Sequence, residues 1–278
     1  MFGNSYYTLV AGLREYTLDA ENKGFDVEEL LAEVEESLAS KDWRKVQLLY
    51  TYYDCENLVA RRNGSTSYNR LGRIAVDALD EELLAPSHLS ERLATVVRAY
   101  AQPDGEDAEM VDVEAPFSTS LFAAYYAECA ASSSRFIREW SEADRTLRNV
   151  VAALVARDMD MPIEGVTVGE GEIVEQLRRS SAADFGLRGE LPWIDTLISA
   201  IGDESNLLEK ERKIDLVRWS IASELSTFSY FDADAVLAYL VKANIVARWA
   251  LLDRKTGDEM FARLLAELDG KELINNCN

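Results

Sequence analysis

The chain is 278 residues long and carries 50 acidic against 29 basic side chains, a net charge of −21. That field repels phosphate backbones and anionic headgroups, so it argues against nucleic-acid binding and fits a solubility role or a basic protein partner. Apolar residues make up 48%, with only 14 glycines and 5 prolines, the composition of a globular and largely helical protein. Cys55, Cys129 and Cys277 are scattered and odd in number, which fits reduced thiols in a cytoplasmic protein. No signal peptide is read at the start, and the apolar runs are shorter than the ~20 residues of a membrane helix.

Taken in order, residues 6–18 (YYTLVAGLREYTL) read either as a strand or as the first turns of a helix. Asp26 with Glu29 forms a capping-box pattern that opens a helix to about Ala39. Asp42 is expected to start the next, with Trp43, Val46, Leu49, Tyr50 and Tyr53 on one side and a stop at Asn63–Gly64. Residues 70–84 and 87–102 read as two further helices, the second capped by Ser87. Residues 103–116 hold six carboxylates and no basic residue between two prolines, an exposed loop or linker.

A long helical region follows from Ser118 to Asp158, broken around Ser132–Ser134. Residues 163–169 are a short alternating piece between glycines; Glu172–Arg179 is a small helix; Pro192 starts another to Ile201. Asn206 to Arg254 reads as two long helices broken at Ser229–Asp232, with Asp232 as the cap of the second. Ile214, Val217, Ile221, Leu225 and Phe228 make the apolar face of the first. Its opposite, exposed side carries Glu209 to Lys213, Asp215 and Arg218. A last helix is expected over Asp258–Leu268. The whole is all-α, a multi-helix funnel or bundle, with an N-terminal lobe over 1–115 and a C-terminal region over 116–278 joined as one compact unit.

Candidate chemistry is sparse. The chain has one histidine, His88, so neither a histidine metal cluster nor an ordinary Ser/His/Asp triad can be assembled. Gly165, Gly169 and Gly171 precede a helix, but no GK[ST] follows and Glu170 and Glu172 would repel a phosphate. Asp184-Phe185-Gly186 stands without the other kinase motifs and reads as a docking loop or a turn between lobes. The expectation is a non-enzyme with no metal and no cofactor. Partner-contact candidates are Arg178, Arg179, Asp184 and Phe185, with Asp104, Glu106 and Asp107 of the acidic loop. One weak internal echo links Asp54-Cys55-Glu56-Asn57 with Arg148-Asn149-Val150-Val151, and Asp215 is a candidate third copy.

Several segments together resemble a bacterial family of unknown function whose members accompany the subunits of V/A-type ATPases. They are YYTLVAGL at Tyr6–Leu13, YDCEN at Tyr53–Asn57, FIREW at Phe136–Trp140, RRSSAADFGL at Arg178–Leu187, EKERKIDLVRW at Glu209–Trp219 and GDEMF at Gly257–Phe261. More distantly, the opening Tyr6–Arg14 is similar to that of the socket component of the V/A-type ATPase central stalk, with Gly12 in place of an arginine. The resemblance implies an all-helical funnel of three related lobes, seated on the proteolipid ring and gripping the rotor shaft. It implies a cytoplasmic location, peripheral to the inner membrane through the ATPase, without direct membrane insertion. An acidic helical adaptor or assembly factor outside the rotor is the alternative.

Overall fold

The computed structural model describes residues 5–18, 25–202 and 206–251. The helix expected at Asp258–Leu268 and Cys277 lie outside the described residues. The opening segment forms a helix, α1 (Tyr7–Gly12), tied to a segment distant in the chain by the Tyr6 amide donating to the Phe231 carbonyl at 2.6 Å. Asp26 caps α2 (Val27–Ser37) by accepting from the Glu28 and Glu29 amides.

α3 (Ser40–Arg62) begins two residues before Asp42, so Asp42 is not its cap. It is buried inside the first turn, where it accepts from the Tyr6 hydroxyl at 2.5 Å and the Lys45 ammonium at 2.7 Å. α3 ends where expected, with Gly64 in the left-handed region. The helix expected over 70–84 shrinks to the single turn α4 (Leu79–Glu82). Its first half is drawn into an irregular loop because buried Asp54 takes the Arg73 and Ile74 amides. α5 (Glu91–Ala101) begins just after Ser90 and not at Ser87. Ser87 and His88 instead give their amides to Glu82, which also accepts from the His88 ring at 2.8 Å.

The rest follows the sequence pattern closely: α6 (Phe117–Ala130), α7 (Arg135–Asp158), α8 (Glu172–Arg179), α9 (Ile194–Gly202), α10 (Leu207–Leu225) and α11 (Ala233–Leu251). Ser134 caps α7 by accepting from the Ile137 amide, and Asp232 accepts from the Ala235 amide before α11. The alternating piece at 163–169 is turn, and the described residues contain no strand. The break before α11 is wider than expected. Phe228 falls in it, off the helix and 82% exposed, and not on the apolar face.

The order of elements repeats. Hairpins α6–α7 and α10–α11 alternate with the connecting pairs α4–α5 and α8–α9, and α2 and α3 precede them in the same order, although α2 packs on α11. The contacts repeat too. α6 packs on α3, α5 and α7, as α10 packs on α7, α9 and α11; α4 lies on α3, as α8 lies on α7. α11 closes the arrangement by packing on α2, α3 and α7. One hydrophobic core runs from Tyr6 to Val241 and joins the helices in a single bundle, with α11 as the inner helix that touches both α3 and α7.

Candidate functional site

Between the inner helices α3, α7 and α11 and the flanking α10 lies a cavity of about 710 Å³. Its walls come from the C-terminal halves of α3 and α11, from α7 beyond Trp140, and from the N-terminal half of α10. Leu49, Trp140 and Val241 are buried and form its floor. Met159 and Met161 are 62% and 49% exposed, so the mouth is at the end where α3, α7 and α11 finish. Methionines suit such a rim, because their unbranched thioethers adapt to what packs on them.

One wall carries an unbroken chain of six charges. The Arg148 Nε donates to Asp144 Oδ2 at 2.7 Å, and Asp144 Oδ1 accepts from Arg218 Nε at 3.2 Å. Arg218 then donates to Asp215 Oδ1 at 3.0 Å, Asp215 Oδ2 accepts from Arg248 at 2.6 Å, and Arg248 reaches Glu211 at 2.9 Å. Tyr126 also donates to Asp144, and the Trp249 ring N–H to Asp215. The guanidinium of Arg148 lies 4.3 Å from the Tyr52 ring centroid. The chain spans α7, α10 and α11, so it also fixes how these helices cross.

Burial pushes the Asp144 carboxyl up, but the Arg148 and Arg218 guanidiniums outweigh it and hold the group below the usual carboxylate range. Burial drives the Tyr52, Tyr53 and Tyr125 phenols well above their ordinary range, so they stay neutral. Apolar walls beside a chain of six charges that pair with one another favour binding over bond-making.

Two loops that frame the bundle are held alike. The buried Asn57 carboxamide donates to the Asn69 carbonyl at 2.9 Å and accepts from the Asn69 amide at 2.7 Å. Buried Asn149 does the same to Val168, at 2.9 and 2.8 Å. A methyl group on Gly72 would run into the Asn57 amide, and one on Gly169 into Arg145. The internal echo between Asp54–Asn57 and Arg148–Val151 therefore has a structural counterpart in the two asparagines. Asp215 is not its third copy: it sits on α10, inside the charge chain. The third inner helix carries buried Asn244, which accepts from the Tyr50 hydroxyl of α3 at 2.6 Å.

The expected partner-contact residues fall in two groups, and neither lines the cavity. Asp104 and Glu106 are on the α5–α6 connection, Asp104 exposed and Glu106 at the start of its short 3₁₀ turn; Asp107 is tied back to Arg98 at 2.7 Å. Arg178 donates to the Thr167 hydroxyl, and exposed Arg179 faces Glu175 at 3.3 Å. Asp184 accepts from the Gly186 amide within the turn. Phe185 is fully buried with φ +55°, so its side chain offers a partner no surface. Arg157 lies 3.8 Å from its ring centroid and donates to the Ala182 and Ser180 carbonyls. The triplet is an internal turn between α8 and α9.

A family described as "Protein of unknown function (DUF2764)" matches residues 3–271. The chain belongs to this family. No curated protein and no solved structure matches it. The charged wall is hidden in the sequence because Glu211, Asp215 and Arg218 read as the solvent side of α10. The signal that betrays it is spacing: Asp144 with Arg148 at i,i+4 and Asp215 with Arg218 at i,i+3, on helices that also carry many apolar residues. Among the described residues no helix is long and apolar enough to cross a membrane.

Proposed function

We propose that this protein is a non-catalytic, socket-like component of the central stalk of a V-type ATPase or ATP synthase, linking the rotor shaft to the proteolipid ring. The observation that carries the reading is the recurrence of a helical hairpin, α6–α7 and then α10–α11, which with α3 surrounds a cavity open at one end. The likeness to the stalk socket implies a funnel of three related lobes, and the two hairpins that recur in the helix contacts of this chain support that reading.

The physical demands of a socket agree with it. A part that transmits torque has to be stiff, and a single close-packed core with ion pairs crossing its inner helices resists deformation. It also needs a second docking face. At the end away from the mouth, Tyr7, Phe228 and Tyr230 are 64%, 82% and 67% exposed, and Tyr7 packs on Phe231 with ring centroids 4.4 Å apart. Exposed aromatics clustered at a hairpin tip mark a contact surface. In this reading the mouth takes the shaft, the aromatic tip faces the ring, and the protein works at the cytoplasmic face of the inner membrane. The acidic surface helps it onto basic loops.

The test is recovery of the tagged protein from membranes with quantitative mass spectrometry. Shaft and proteolipid subunits in stalk-like stoichiometry support the socket. Recovery of the protein alone, from membranes in which the rest of the ATPase stays intact, removes it from the rotor and favours an acidic adaptor or assembly factor.

A further inference from the structure

The charges that line the cavity do not balance. Four carboxylates, Glu56, Asp144, Glu211 and Asp215, face three guanidiniums, Arg148, Arg218 and Arg248. The six-membered chain consumes three of each sign. Glu56 is left over: its hydrogen bond is to the neutral Asn69 side chain at 2.9 Å, and among the described residues it makes no ion pair. Glu56 stands on α3, one helical turn from Tyr52 and near the end of the cavity that opens.

A second feature favours a positive occupant. The Tyr52 and Tyr53 rings on the same helix as Glu56 are neutral phenols, and aromatic faces attract cations. The remaining lining, Val151, Val155, Ile214 and Ile245 among it, is apolar.

We infer that the cavity is built for an apolar partner segment carrying one cationic side chain, which seats against Glu56 and completes the charge pairing. The identity of that segment as the shaft end rests on the proposed function; the charge selectivity does not. It is tested with three probes of matched shape: phenethylammonium, phenethyl alcohol and 3-phenylpropanoate. Methyl-labelled methionine spectra of the full chain report binding at Met159 and Met161.

The ammonium is expected to bind roughly fivefold more tightly than the alcohol, the worth of one partly exposed ion pair, and the carboxylate most weakly. In Glu56→Gln the preference for the ammonium should vanish while the affinity for the alcohol is unchanged, which also shows that the cavity is intact. Equal affinity for all three, preference for the carboxylate, or an ammonium preference that survives Glu56→Gln overturns the inference. A cation preference found together with a failed membrane recovery rejects the stalk reading and leaves the inference standing.

Discussion

Asn57 and Asn149 each use a single carboxamide to hold both backbone groups of one loop residue, Asn69 in the first case and Val168 in the second. Both are buried on inner helices. Removing Asn149 strands both the amide and the carbonyl of Val168, and removing Asn57 strands the Asn69 amide, while the Asn69 carbonyl keeps the Gly72 amide at 3.1 Å. Asn57→Ala and Asn149→Ala are each expected to cost about 1–3 kcal/mol, read from the denaturant midpoint at constant slope. A cost below ~0.5 kcal/mol at either site contradicts the clamp, since that is the range of ordinary surface changes.

Gly72 makes the same point from the loop side. With no room for a Cβ beside Asn57 and Asp54, Gly72→Ala has to displace the Asn57 amide. Its destabilisation should be largely absorbed in the Asn57→Ala background, since both changes break one contact. Additive losses in the double mutant would show two separate effects.

Asp144 ties Arg148 to Arg218, so Asp144→Ala leaves both guanidiniums without their shared partner. A loss of about 3–5 kcal/mol is expected. The pH dependence has a definite sign. Its folded-state carboxyl lies below the ordinary value of 3.8, so its contribution is present above that value and fades as pH falls through the folded one. Asp54 is opposite: burial raises its carboxyl despite the Ile74 and Arg73 amides, so its contribution is present in acid and lost as pH rises through the folded value. The stability gap between wild type and Asp144→Asn should therefore narrow below about pH 4, whereas that for Asp54→Asn should not. Urea midpoints across neutral to acid pH decide this.

Arg157 is expected to matter for the turn at Asp184–Gly186 although it lies on α7. It caps two carbonyls and covers the buried Phe185 ring. Arg157→Lys keeps the charge and loses the planar fork, and should destabilise nearly as much as Arg157→Ala, by about 1–3 kcal/mol. Full retention in the lysine variant would reduce the role to charge alone.

Where local signals act alone, the sequence reads well. The Ser132–Ser134 break, the Asp26 and Asp232 caps, and the limits of α8 follow from capping chemistry and apolar period. The pattern misleads where a distant side chain competes for backbone groups. Asp54 draws the Arg73 and Ile74 amides out of the helix expected at 70–84, and Glu82 takes those of Ser87 and His88. It misleads again where polarity is mistaken for exposure. Asp215 and Arg218 carry charges, so they read as surface; partners on α7 and α11 let them sit inside. Phe228 is the converse, an apolar residue in helical register that the turn leaves exposed.

Phe228 should contribute to contacts and not to stability. Phe228→Ser is expected to change the unfolding midpoint by less than the equivalent of ~0.5 kcal/mol, as for other exposed positions, while weakening retention on ATPase-containing membranes. Unfolding as severe as a core truncation would assign the tip to the fold.

The claim that the cavity receives the rotor shaft is tested most directly by a photocrosslinking residue in place of Met159, at the rim, in membranes that hold the intact complex. The socket role predicts a crosslink to the shaft, lost when the crosslinker is moved to Phe228 at the opposite end. Crosslinks from position 159 to any other component, or none while the complex stays intact, would contradict it.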